Sequence, residues 1–263
     1  MFDSINSSVS EIGADVAQTP ESWNSAIFSM IKTLSETVII PIAGMIITAI
    51  LCYELIQMVT DKNNLNDSGT YVFFKFTFKS GIAVYLLSNT FDITMAIFDV
   101  GRHVVSSAVS VINDQANIST TEMVAMAQEQ MADMGLGELC GLVAISFLLR
   151  FAMLAVSVLI MVMLVQRMIQ IYIYCSIAPI PFATITNRDW GTTGTNYVKG
   201  LLGLAFQGFF MMICVGIYAA LVNSISFSDS LIMELLKVAA YAVALTMAMF
   251  KTDSIAKSIF NGS

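Results

Sequence analysis

The residues of this chain that could do chemistry are a few cations set among apolar neighbours. Arg150 stands about eleven residues into the apolar run that opens at Leu139, with Ser146 and Ser157 within about 40° of it on a helical wheel. A cation at that depth of a bilayer is expensive to leave unpaired, so the stripe of Ser146, Arg150 and Ser157 must face protein or water. Two readings stay open for Arg150. It is either a structural partner, with Glu54 as the available carboxylate, or a pore-lining position. Lys75 and Lys79 lie one helical turn apart on one face, and they either snorkel toward a nearby interface or face a pore. Contact with a phosphate backbone needs clustered Lys or Arg. The candidates for such a path are Lys62, Lys75, Lys79, Arg188 and Lys199, with Arg150 deeper in the membrane.

Catalytic chemistry has no foothold. GxxxxGK[ST], HExxH and GxSxG are absent, and His103 is the only histidine, so proton relay or metal hydrolysis lacks its residues. GTTGTNYVKG, from Gly191 to Gly200, lacks the Lys-Ser/Thr ending and follows no strand; it reads as a loop before a span. Cys52, Cys140, Cys175 and Cys214 fall in apolar runs without ligand spacing, and the 18 methionines read as adaptable packing. No enzyme activity, cofactor or metal is expected.

The elements that must position these cations are membrane helices. Of 263 residues 57% are hydrophobic and 12% charged, which implies an all-α polytopic membrane protein of about five spans, six being possible. Residues 1–36 form an amphipathic segment with Phe2, Ile5, Val9, Ile12 and Val16 on one edge, expected to lie on a surface or a partner; no cleaved signal precedes it. Thr19 caps a restart with Pro20 at the first helical position, and Trp23 suits the headgroup level. Residues 37–91 hold two spans, Val38–Val59 with Pro41 near its start and Tyr71–Phe91. Residues 92–138 form an outer segment of two amphipathic helices, the second opened by a capping box at Ser119 to Glu122. Residues 139–186 form a long central helix ending at Pro179 and Pro181; its extension past the span is expected to stay protein-buried. Spans from Gly200 to Val222 and Leu231 to Phe250 fill 187–250, and 251–263 is a tail. Small residues mark close helix approach: Gly137 and Gly141 as GxxxG, and Gly200, Gly203 and Gln207 as a stripe.

Charge orients the chain. With the amino terminus outside and five spans, the inner side collects Lys62, Lys75, Lys79, Arg167, Arg188, Lys199, Lys251 and Lys257, and the carboxyl tail is cytoplasmic. The outer segment is acidic and repels phosphate.

An outside amphipathic amino terminus, two spans, an outer helical segment, and MIQIYIYCSIAPIPFATITNRDWGTTGTNYVKGLLGLAF after the central helix resemble the TrbL-like inner-membrane subunits of type IV secretion and conjugation machines. The resemblance extends from about Glu36 to Phe250 and is clearest from Ile171 to Trp190. It implies an oligomeric channel or scaffold, five-fold in expectation, in the bacterial inner membrane, past which single-stranded DNA and relaxase move. The implied partners are a cytoplasmic ATPase, a coupling protein, other channel subunits and membrane lipids. Two other classes compete. A small-solute or ion carrier would use Arg150 as counter-ion, although no inverted repeat is present. A membrane anchor or pore-forming lysis protein would be toxic when expressed alone.

Overall fold

The structure, a computed structural model, describes residues 12–60, 69–115, 128, 131, 135–187, 189–225 and 231–261. The described residues are overwhelmingly helical, as hydrocarbon demands, because a helix pairs its backbone amides within one segment. Helix α1 is Pro20–Trp23, α2 Ser25–Leu34, α3 Ile40–Thr60, α4 Gly69–Ser88, α5 Thr90–Gln115, α6 Leu136–Ile177, α7 Pro179–Thr184, α8 Gly191–Asn223 and α9 Leu231–Asn261. Five stretches among the described residues are long and apolar enough to cross a membrane: Ser25–Thr60, Thr90–Ile112, Leu139–Ile177, Gly191–Asn223 and Ile232–Phe260. The chain is therefore a polytopic helical membrane protein.

Two compact units divide it. The first comprises the residues up to Gln18, Gly101–Arg167 and Phe206–Ala256; the second comprises Thr19–Val100, Met168–Ala205 and the residues from Lys257. In the first unit Val105 of α5, Leu149 and Ile160 of α6, Met211 and Val215 of α8, and Val238 and Ala242 of α9 form one core. Ile12 and Val16 are buried in that core. The described end of the amphipathic amino-terminal segment, Ile12 and Val16, thus packs into its own chain rather than lying on a surface or a partner; Phe2, Ile5 and Val9 lie outside the described residues. In the second unit Ala43 and Ile47 of α3, Ala83 and Leu87 of α4, and Ala183 of α7 form a smaller core. Small side chains bring those helices close. Most of the Ala-Pro-Ile-Pro-Phe-Ala turn is interior here, since Ala178, Pro179, Pro181, Phe182 and Ala183 are buried and Ile180 partly so.

The helix that contains the first apolar run does not begin near Pro41. Helix runs from Ser25 to Thr60, and the proline lies deep within it. Proline removes one amide hydrogen and crowds the carbonyl four residues earlier. A π turn over Ser35–Ile39 absorbs this, with the Ile40 N–H bonding to the Ser35 carbonyl. Thr19 does cap α1, accepting from the Ser22 N–H in a capping box. Trp23 leans on Tyr172 with ring centroids 6.0 Å apart.

Helices α4 and α5, read from sequence as a span and an outer helix, are separated by Asn89 alone. The Asn89 N–H bonds to the Tyr85 carbonyl and the Ile93 N–H to the Asn89 carbonyl, so hydrogen bonding runs through the junction. One residue is too short a connection to reverse the chain. The membrane-length stretch is Thr90–Ile112, in α5, and α4 falls outside the set. Further along, GTTGTNYVKG is not a loop but the opening turns of α8, and most of the supposed tail continues α9 to Asn261. The second outer helix expected from Ser119 lies outside the described residues, as do Lys62 and Arg188.

Candidate functional site

Where the central helix stops, the second unit builds a polar lock. Pro179 and Pro181 end α6 and fold the chain into α7, which packs between α3 and α4. The turn that follows carries Asn187, which is buried, and its side-chain Oδ1 accepts from the N–H groups of Asp189 and Trp190 at 2.8 and 3.0 Å. Those bonds close the turn that leads into α8, the Asn side chain taking the backbone amides two and three residues on. The other end of the same side chain donates to Glu54 Oε1 at 2.6 Å. Glu54 also receives the Lys79 ammonium on that oxygen at 2.6 Å. Three elements are joined by one carboxylate, at a site where Glu54 is largely shielded from solvent.

Aromatic packing fixes the same turn from the other side. Tyr197 of α8 stacks on Tyr174 of α6 with centroids 5.7 Å apart, meets Phe182 edge-on, and donates its hydroxyl to the Tyr174 carbonyl. Gly194 sits so near the Pro181 carbonyl that a Cβ would lie 2.6 Å from the oxygen. The glycines of GTTGTNYVKG therefore mark close packing, which is why a loop reading fails.

In the first unit α6 presents Arg150 on an exposed face beside Val143, Phe147 and Leu154. Ser157 is exposed along the same stripe and Ser146 is half-buried. Glu54, weighed from sequence as the partner of Arg150, is engaged by Lys79 and Asn187 instead. No described carboxylate pairs with Arg150. Gly137 and Gly141 stand on the far side of α6 with open space where a Cβ would be. Among the remaining candidates, Lys75 and Lys199 are exposed, Gly203 is buried, Gly200 abuts the Tyr174 ring, and Gln207 is buried with Oε1 unpaired.

Arg167, counted in the sequence among the inner cations, is interior. It is 6% exposed and donates from Nη1 to the Val16 carbonyl at 3.1 Å, with Nε unpartnered. Gly208 makes room for it, since a Cβ there would lie 2.9 Å from Nη2. Sequence reasoning missed both this contact and the role of Asn187. For Arg167 a signal existed, an arginine inside an apolar run; for Asn187 the Asn-x-x-Trp spacing before a helix was the only hint.

Comparison with known proteins gives a family match. A family model described as TrbL/VirB6 plasmid conjugal transfer like protein covers residues 5–179, from the amino-terminal segment to the end of α6. No curated protein and no solved structure matches. The matched stretch contains Glu54, Lys79, Arg150 and Arg167 and takes in most of the chain, which therefore belongs to the TrbL/VirB6 family of plasmid conjugal transfer proteins.

Proposed function

We propose that this protein is a channel and scaffold subunit of a conjugative type IV secretion machine, a homo-oligomer in the bacterial cytoplasmic membrane with its amino terminus outside and its carboxyl terminus in the cytoplasm. Family membership supports a transfer-system subunit. The observation that carries the finer reading is Arg150. It is an exposed arginine in a membrane-length helix, flanked by exposed Val143 and Phe147 and by no partner acid among the described residues. Such a face suits neither lipid, which penalises the cation, nor bulk water, which penalises the apolar flanks. A neighbouring copy that covers the apolar flanks while leaving Arg150 toward a shared aqueous path resolves both costs. Gly137 and Gly141, open on the opposite side of α6, supply the reciprocal close-approach surface for a ring.

Energy for transfer comes from partners, a cytoplasmic ATPase and a coupling protein, and single-stranded DNA with its relaxase is the cargo. The test is to image particles extracted in native lipid and to measure transfer. A closed ring with α6 at the subunit contact, and a drop of about tenfold or more in transfer for Arg150→Leu at unchanged protein level, is expected. A stable monomer, or normal transfer by Arg150→Leu, overturns the reading.

A further inference from the structure

Helix α4 carries a second, separate feature. Phe74, Thr77, Phe78, Gly81, Ile82 and Tyr85 line a shallow apolar groove on its outer face. Its floor is Gly81, where a Cβ would meet nothing within 4 Å, and its walls are exposed aromatics, Phe78 at 65% and Tyr85 at 67%. Lys75 is outside this lining but precedes Phe78 and Ile82 by three and seven residues, which puts the three on neighbouring positions of one helix face. The two lysines of the helix are not equivalent, because Lys79 is paired to Glu54 whereas Lys75 is exposed and in no ion pair among the described residues. Tyr71 adds a hydroxyl one turn before Lys75, and it too is exposed.

From Lys75 to Gly81 is about 9 Å along the helix axis and about a third of a turn around it, within reach of the long Lys75 stem. That separation matches the span from a phosphodiester to the upper methylenes of an acyl chain. We propose that α4 binds an anionic glycerophospholipid, its phosphate on the Lys75 ammonium and the Tyr71 hydroxyl and one acyl chain lying over Gly81 between Phe78 and Tyr85. The charge at one end and the apolar floor at the other select for a molecule with that polarity. A second copy fits less well. Helix α4 has no acidic residue, so a symmetric contact through this face would set Lys75 beside its own equivalent.

The experiment is native mass spectrometry of the full-length protein reconstituted from vesicles of equal parts phosphatidylglycerol and phosphatidylcholine. Retained phosphatidylglycerol should exceed phosphatidylcholine by about fivefold, the effect of one lysine near an anionic headgroup. Lys75→Gln should abolish that preference, and Gly81→Leu should release lipid of both kinds, with no neighbour for the new side chain to displace. A photocrosslinker at Phe78 should capture lipid. Equal retention of the two lipids by the unaltered protein, indifference to Lys75→Gln or Gly81→Leu, or capture of a second copy at Phe78 would each overturn the proposal. None of these readouts depends on DNA transfer, so their failure leaves the secretion reading to its own test.

Discussion

Asn187 and Glu54 are joined by one short hydrogen bond, Nδ2 to Oε1 at 2.6 Å, and through it a carboxylate on α3 holds the turn that starts α8. The same Asn187 side chain caps two backbone N–H groups, so losing its grip on Glu54 would free the turn as well as the pair. Asn187→Ala should cost about 2 kcal/mol and Glu54→Ala about 3 kcal/mol, the latter because it also strands Lys79. The double variant should cost little more than Glu54→Ala, since contacting residues are not additive. Denaturation in lipid nanodiscs measures all three. Additive losses would mean that the turn is held by something else.

The same geometry separates the two lysines of α4. Lys79→Ala removes the main partner of a largely buried carboxylate and should lower stability by about 3 kcal/mol, whereas Lys75→Ala should change it by less than about 0.5 kcal/mol. A joint replacement of both therefore cannot test a cationic entry path, because it breaks an ion pair as well. Thermal melts of the two single variants decide the matter. Equal melting temperatures would show that the Glu54 pair contributes nothing.

How much of this was legible in the sequence depends on how local the cause is. The stop after Ile177 follows from Pro179 and Pro181, and the Thr19 cap follows from its neighbours; both were readable because proline and capping act within one turn. The course of the helix through Pro41 was not, since whether a proline breaks a helix or is absorbed in a π turn depends on what holds the two sides together. GTTGTNYVKG misled for a related reason. Glycine reads as flexibility, but Gly194 is needed for contact with the Pro181 carbonyl, thirteen positions back in the numbering. Arg150 could be identified as conspicuous from its apolar neighbours, while its exposure, and the engagement of Glu54 elsewhere, required the fold.

The junction at Asn89 makes a prediction about topology. With α4 and α5 continuous in hydrogen bonding, the stretch from Gly69 to Gln115 should cross the membrane once. In a background where the four cysteines are replaced, Tyr71→Cys and Ser110→Cys should react with a membrane-impermeant maleimide from opposite sides of the membrane. Labelling of both from the same side would mean that the chain reverses between them.

Two glycines in membrane helices should respond in opposite ways to the same change. A methyl group at Gly194 meets the Pro181 carbonyl at 2.6 Å, a backbone atom that cannot rotate aside, so Gly194→Ala should destabilise by about 2 kcal/mol. Gly44 in α3 has nothing within 4 Å, and Gly44→Ala should be neutral or stabilise by up to about 1 kcal/mol through helix propensity. Melting temperatures of the two variants test this. A neutral Gly194→Ala would mean that α8 is free to shift away from the proline turn.

Arg167 offers a way to separate stability from function. A guanidinium 6% exposed, with one hydrogen bond to the Val16 carbonyl and Nε unpartnered, is a poor bargain for folding. An apolar side chain of similar length should do as well or better, because burying a charge with no carboxylate beside it among the described residues costs more than one carbonyl contact returns. Ile12 and Val16 would still hold the amino-terminal segment in the core through their own burial. Arg167→Met should therefore melt at or above the temperature of the unaltered protein, with a gain of up to about 1 kcal/mol. Transfer, in contrast, should fall by about tenfold, because an ionisable side chain kept inside an apolar helix at a cost to folding is kept for function. Loss of more than about 3 kcal/mol in Arg167→Met would instead make the guanidinium a structural brace. Full transfer at unchanged stability would leave it with no role beyond filling space.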